Sequence, residues 1–290
     1  MSATAPNASN QKMLMLDKKV YIEQIEEFRT LHFGLQDRLI QEFRSLYDLY
    51  FDLSEEHLAR ILNHPKLLSM IVTLARDRKT HKLISIDMIT VYHFVLLEND
   101  NRPENQYITG HGILVVDENY RMNGLIEVMS EVSEDLIFKL YPKANKIAYG
   151  FIVSPYTYNY VMKRSSLTIP GENIDPKVQK LFEKMAETVP IPSKRIGDDP
   201  FVMSVFPPVK TDFDFLHQNI DKLPMHMKYY AKKTGLIPGV GILTVQVNYM
   251  LEGNTAGLPA GDYIKERKKY KGEIRYIQGK PTFDKPIPKI

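Results

Sequence analysis

The chain has 290 residues, of which 43% are hydrophobic and 25% charged, with a formal net charge of +3 and no cysteine. That composition suits a globular protein with a sizeable core in one large domain or two small ones. The near-neutral balance gives no overall electrostatic case for nucleic acid or a membrane surface. The missing thiols exclude disulfides, thiolate nucleophiles and cysteine-bound metals.

No run approaches the ~18 apolar residues of a membrane span, and nothing in the composition argues for secretion, so the expectation is a soluble cytoplasmic protein. The eight histidines show no His-x-x-x-His spacing, so no metal site is expected. The basic run "KERKKYK" at 265–271 reads as a solvated tail.

In chain order, residues 1–15 are small and polar and read as a disordered leader. "KKVYIEQIEE" (18–27) is a first strand or a short helix. Apolar residues at Leu35, Leu39, Phe43, Leu46, Tyr47 and Tyr50 form a helical stripe, and Ser54 caps a second helix that Pro65 stops. "SMIVTLARD" (69–77), the turn "RKTH" and "KLISIDMITVYHFVLL" (82–97) predict an antiparallel hairpin. "QYITGHGILVV" (106–116) is a further strand.

From Gly124 the apolar residues Leu125, Val128, Met129, Val132, Leu136 and Leu140 return to a helical period, ended by Pro142. "KIAYGFIV" (146–153) is a strand. It leads into a helix over 154–164, with Ser154 as N-cap and Pro155 at the first position. A looser section holds one helix at 175–188. Strands at 199–206 and 240–251 flank a Tyr-rich helical piece at 213–233, and "GEIRYIQGKPTFD" offers a hairpin in the tail. This is a mixed α/β (α+β) order around one sheet, without the alternation of a doubly wound fold.

The turn "VVDENYRMNGLI" (115–126) carries the chemistry. A helix N-terminus presents amides without intrahelical partners and a partial positive charge, glycine lets a ligand approach the backbone, and Arg121 adds a cation. Arg121, Met122, Asn123 and Gly124 are thus adequate for a pyrophosphate, although one Arg and one Gly before a helix also occur in ordinary loops.

With Tyr120, Arg121 and Gly124 in register after an apolar strand end, the chain resembles the GNAT superfamily of acyl-CoA-dependent N-acyltransferases over roughly residues 18–251. The resemblance implies a mostly antiparallel central sheet flanked by helices in a domain over 16–255, with an insertion at about 165–198 and a tail at 256–290. It implies acetyl-CoA or another acyl-CoA as co-substrate, held by Val115, Val116, Arg121, Met122, Asn123, Gly124 and Leu125. The acyl group would pass by direct attack to a small-molecule or peptide amine, with no metal and with room for a homodimer.

For the base, His111 lies on the fourth strand near the expected splay, with His93 less well placed; a histidine there can also simply partner a carbonyl. Tyr160, then Tyr158, are the acid candidates, each with packing as its alternative. Two positions depart from the family pattern: Ile126 stands where glycine or alanine is usual, and Val161 occupies the slot of the family's tyrosine. The competing class is a catalytically degenerate relative that binds acyl-CoA or a protein partner without transfer.

Overall fold

The computed structural model describes residues 16–50, 64–97, 102–121, 124–169, 176–189, 193–205, 213–265, 267 and 269–277. The leader, the helix expected after Ser54, Met122 and Asn123 of the turn, and the tail beyond 277 lie outside these residues.

Four antiparallel strands follow the β-branched and aromatic runs: β1 (Val20–Ile25), β2 (Leu67–Asp77), β3 (Leu83–Val95) and β4 (Gln106–Val116). The β2–β3 turn is closed by His81 at φ 57° and by the Asp77 carboxylate, which accepts from the Thr80 and Lys79 amides. Those bonds, and one from the Tyr120 hydroxyl, hold the Asp77 carboxyl down to about 2. Through Tyr120, this turn anchors the loop that leaves β4.

The next pairing is parallel. β4 meets β5 (Asn145–Ile152) only from Tyr107↔Asn145 to Gly110↔Ala148. Beyond that point β4 stays on β3 as far as Val116↔Ser85, while β5 stays on β9 (Val240–Met250) as far as Ile152↔Ile242. The two strands therefore splay. The sheet order is β11-β1-β2-β3-β4-β5-β9-β8-β7, with β6 (Thr168–Ile169) and β10 (Gly261–Asp262) also pairing β9. Strands β7 (Ser193–Arg195) and β8 (Val202–Val205) close one edge, and β11 (Ile274–Tyr276) closes the other, parallel to β1. This is the mixed, mostly antiparallel sheet flanked by helices that the resemblance implied.

Helix α1 (Phe33–Tyr47) buries Leu39, Phe43, Leu46 and Tyr47 on one face of the sheet, together with Ile86, Met88 and Val115. Helix α2 (Leu125–Leu140) covers the opposite face with Leu125, Val128, Met129 and Val132 against Ile84 and Val116. Helix α3 (Pro155–Arg164) packs on α6 (Met225–Thr234) through Tyr158, whose ring lies 6.0 Å from Tyr229 and 5.7 Å from Tyr230.

The helix read at 175–188 is present as α4 (Pro176–Thr188), whose Val178, Leu181 and Met185 are fully buried. Two stretches differ from the sequence expectation. The helical piece at 213–233 is broken into α5 (Asp214–Gln218), a 3-10 turn (Ile220–Lys222) and α6, because Pro224 supplies no amide and disfavours helical backbone at Leu223. In the tail, Ile274–Tyr276 pairs with β1, whose edge would otherwise expose a row of unpaired amides and carbonyls. Within the basic run, two described residues are held by the domain: Arg267 reaches Glu134, and the Tyr270 hydroxyl donates to the Val20 carbonyl.

Candidate active site

Past Gly110, the half of the β4 backbone groups that point toward β5 have no strand opposite them. The gap opens into a cleft of about 340 Å³, a volume suited to a small-molecule ligand. Side chains alternate across a strand, and the packing shows which way. Ile113 and Val115 lie against α1, while Gly110 and Leu114 face α2. The floor under α2 and α3 is built of small residues, Gly110 and Gly112 from β4 and Ala148 and Gly150 from β5. A Cβ on Gly112 would stand 3.4 Å from Asp87 Oδ1. The walls are Ile126, Ser130 and Glu134 from α2 and Thr157, Tyr160 and Arg164 from α3.

His111 lies on the face opposite Gly110 and Gly112, at the vertex of the splay, where its Nδ1 is 3.0 Å from the Tyr149 carbonyl oxygen. A carbonyl only accepts, so Nδ1 carries the proton in that contact and the basic lone pair of neutral imidazole belongs to Nε2. Tyr160 lines the cleft from α3 and contacts Ser130; burial pushes its hydroxyl up to about 12. Tyr158 is packed in the α3–α6 core and is not among the cleft-lining residues. His93 bonds Gln106 at 2.5 Å, away from the cleft. The structure therefore brings His111 and Tyr160 to one cavity and sets Tyr158 apart from it.

Of the predicted cofactor-binding residues, Val115, Val116, Arg121, Gly124 and Leu125 are not among the cleft-lining residues, although Ile126 of the first turn of α2 is. Gly124 caps α2 in the left-handed region (φ 82°), a conformation that favours glycine. Arg121 stands beside this helix start, its Nε donating to the Val116 carbonyl and its guanidinium 4.2 Å from the Tyr50 ring centroid. Val115 is buried against α1 and Leu125 against β4. Glu127, in the first turn, already supplies a carboxylate to this N-terminus.

The inner end holds groups that sequence reasoning did not single out. Arg164 Nη2 donates to Glu131 at 3.1 Å and to Glu134 at 2.5 Å, Arg267 Nη1 to Glu134 at 3.2 Å, and Asn248 Nδ2 to Glu134 at 2.7 Å. Burial nevertheless outweighs the two guanidinium groups and pushes Glu134 up to about 7. Asp87 is likewise pushed up to about 7 by burial, against the Ser133 hydroxyl and Arg164. Burial lowers Lys146 to about 8, with its Nζ on the Ala144 carbonyl and 4.5 Å from the Phe138 ring centroid. The available signals were Asp87 inside an apolar strand and the i, i+2 series Thr244, Gln246, Asn248, which puts polar side chains on one face of β9.

Asp87 gives a pH prediction. Its folded value lies above its unfolded value near 3.8, so the native state binds more protons between those limits and stability falls as pH rises from about 4 to about 7. Asp87→Asn removes a charge that burial opposes. It is expected to melt above the native protein at pH 8 and to show a flatter stability profile from pH 4 to 8, as read by thermal denaturation across that range.

No helix among the described residues is long and apolar enough to cross a membrane. Also among the described residues, no cluster of three or more His, Asp or Glu could hold a metal ion.

No protein-family model and no curated protein sequence matches the chain. Among solved structures it is similar to an aminoglycoside acetyltransferase from an uncultured soil metagenomic sample, at 15% identity over 55% of this chain and 99% of that one, with a TM-score of 0.31. It is similar to glucosamine-6-phosphate N-acetyltransferase from Arabidopsis thaliana, at 14% identity over 53% of this chain and 97% of that one (TM-score 0.34). A chain of the NatC complex bound to Gag peptide and CoA matches at 15% identity over 79% of this chain and 98% of that one (TM-score 0.33). The chain's own strand order, with the opening between β4 and β5, is that of a mixed, mostly antiparallel sheet flanked by helices.

Proposed function

We propose that the protein is an acyl-CoA-dependent N-acyltransferase that moves an acetyl or longer acyl group to an amine by direct attack. The observation that carries this reading is the β4–β5 splay. It leaves backbone donors of β4 facing a cavity floored by Gly110, Gly112, Ala148 and Gly150, with the amide-rich start of α2 at its mouth. These residues fit a long thin thioester: small side chains along the floor, strand amides beside it, and a helix terminus with Arg121 for the pyrophosphate. When bound, acyl-CoA supplies the activated acyl carbon.

The chain does the rest. Backbone N–H groups of β4 near Val115 polarise the thioester carbonyl and stabilise the charge that develops on its oxygen. His111 Nε2 takes the proton of the attacking amine, with Nδ1–H held on Tyr149 so that the tautomer is set. Tyr160, kept protonated by burial, donates a hydrogen bond to the departing sulfur. With no cysteine in the chain, an acyl-cysteine route has no nucleophile.

A second reading, binding of an acyl-CoA without transfer, is favoured by one region. Ile126 intrudes on the cleft and Glu127 places a negative charge in the first turn of α2, both next to the phosphate position.

Calorimetric titration with CoA, acetyl-CoA and longer acyl-CoAs tests the common ground of both readings. Micromolar binding is expected, weakened about tenfold or more in Arg121→Glu, since the change reverses a charge at the anion site. Equal affinity in the variant would remove the turn from the site. Binding without turnover on any amine tried would select the second reading.

A further inference from the structure

At the inner end of the cleft, three polar atoms have no hydrogen-bond partner among the described residues: Arg164 Nε, Gln246 Nε2 and Asn248 Oδ1. All three side chains line the cavity and are deeply buried, at 9%, 4% and 7% exposure. Buried polar atoms in folded proteins are nearly always satisfied, so three in one place call for a partner that the chain does not provide.

The orientation of two of them is fixed. Asn248 gives its Nδ2 to Glu134, which turns Oδ1 away from that carboxylate, and Arg164 is locked by its bonds to Glu131 and Glu134. Gln246 and Asn248 sit two apart on the same face of β9, about 7 Å from one another. The site thus offers two N–H donors and one acceptor along a short span.

Charge narrows the ligand. Glu131, Glu134 and Asp262 face Arg164 and Arg267, and Asp87 and Lys146 line the same cleft. A carboxylate would sit beside several acidic groups, and an ammonium beside two guanidinium groups. A neutral group with one acceptor and one donor meets neither penalty.

We infer that the inner end of the cleft is a substrate subsite for an amide group, its carbonyl taken by Arg164 Nε–H and Gln246 Nε2–H and its N–H given to Asn248 Oδ1. This rests on the acyltransferase reading and names a substrate class for it. The amide belongs either to the far end of the acyl chain or to a peptide-like amine acceptor.

Two matched pairs of probes separate the sources. Succinamoyl-CoA and 4-methylpentanoyl-CoA differ only in a terminal carboxamide against an isopropyl group of the same shape. Alaninamide and 3-methylbutan-2-amine differ likewise on the acceptor side and are titrated in the presence of CoA. In one pair the amide is expected to bind about tenfold tighter. Gln246→Leu should abolish that advantage without lowering the melting temperature or the affinity for CoA itself.

Equal affinities within both pairs, as expected if water alone satisfies these atoms, would overturn the inference, and so would a preference that survives Gln246→Leu. A uniform loss in Gln246→Leu that includes CoA would place CoA's own chain there and overturn the assignment to substrate. Failure of the native protein to bind CoA overturns the acyltransferase reading and this inference together. CoA binding without an amide preference overturns the inference alone.

Discussion

Replacing Arg164 by methionine is expected to cost the fold about 3–5 kcal/mol, the range seen when one partner of a buried ion pair is removed. Its guanidinium bridges Glu131 and Glu134, all three side chains being at least nine-tenths buried, so the variant leaves two carboxylates with only Arg267 between them. The loss should shrink below neutral pH. Glu134 is already pushed up to about 7, and once protonated it no longer needs a counter-charge. Urea unfolding at pH 5 and pH 8 reads both effects. Arg164→Lys keeps the charge but not the planar fork and should fall between the native protein and the methionine variant. A methionine variant within 1 kcal/mol of native at pH 8, on the order of a surface change, would mean that Arg267 and protonation suffice.

The second large effect is kinetic. His111→Ala is expected to slow turnover about 100-fold or more, the usual contribution of a positioned base, with little change in acyl-CoA affinity. Tyr160→Phe removes one hydrogen bond and should cost about tenfold. The two losses have different signatures. Imidazole added to the His111→Ala protein should restore part of the rate through the open splay, whereas no small molecule replaces a phenol held between α2 and α3. If His111→Ala works at the native rate, the base is another group of the cleft, and Asp87, raised toward neutrality by burial, is the next to replace.

The long strands were legible because their residues are both β-branched and buried. The limits of β4, at 106 and 116, match the sequence reading, and α2 begins one residue after Gly124. The splay was legible only through the resemblance, since nothing in "GHGILVV" says that its second half lacks a partner on one side. His111 and Tyr160 could be named because histidine and tyrosine have evident chemistry. The inner cluster escaped for a physical reason. Glu131, Glu134, Arg164 and Arg267 look like solvated helix and tail charges until long-range packing buries them, and periodicity does not report contacts between residues 134 and 267. The pairing of β11 with β1 escaped in the same way: a three-residue strand has too little pattern to reveal a partner some 250 positions earlier in the chain.

The path of the described residues between 261 and 277 has a consequence for how the molecule is made. This segment pairs with β9 through Gly261 and Asp262, delivers Arg267 to the acidic pair on α2, and finishes along β1, where Glu273 meets Arg78. It spans the sheet from one side to the other as a strap. During synthesis the domain grows from its N-terminus at about 5–20 residues per second, so Glu131, Glu134 and Arg164 are all present before Arg267 and the last strand emerge. For that interval β1 is an open edge and the acidic pair has one cation instead of two. A nascent chain in that state is the form most exposed to strand-edge aggregation, and the form for which a chaperone would matter most.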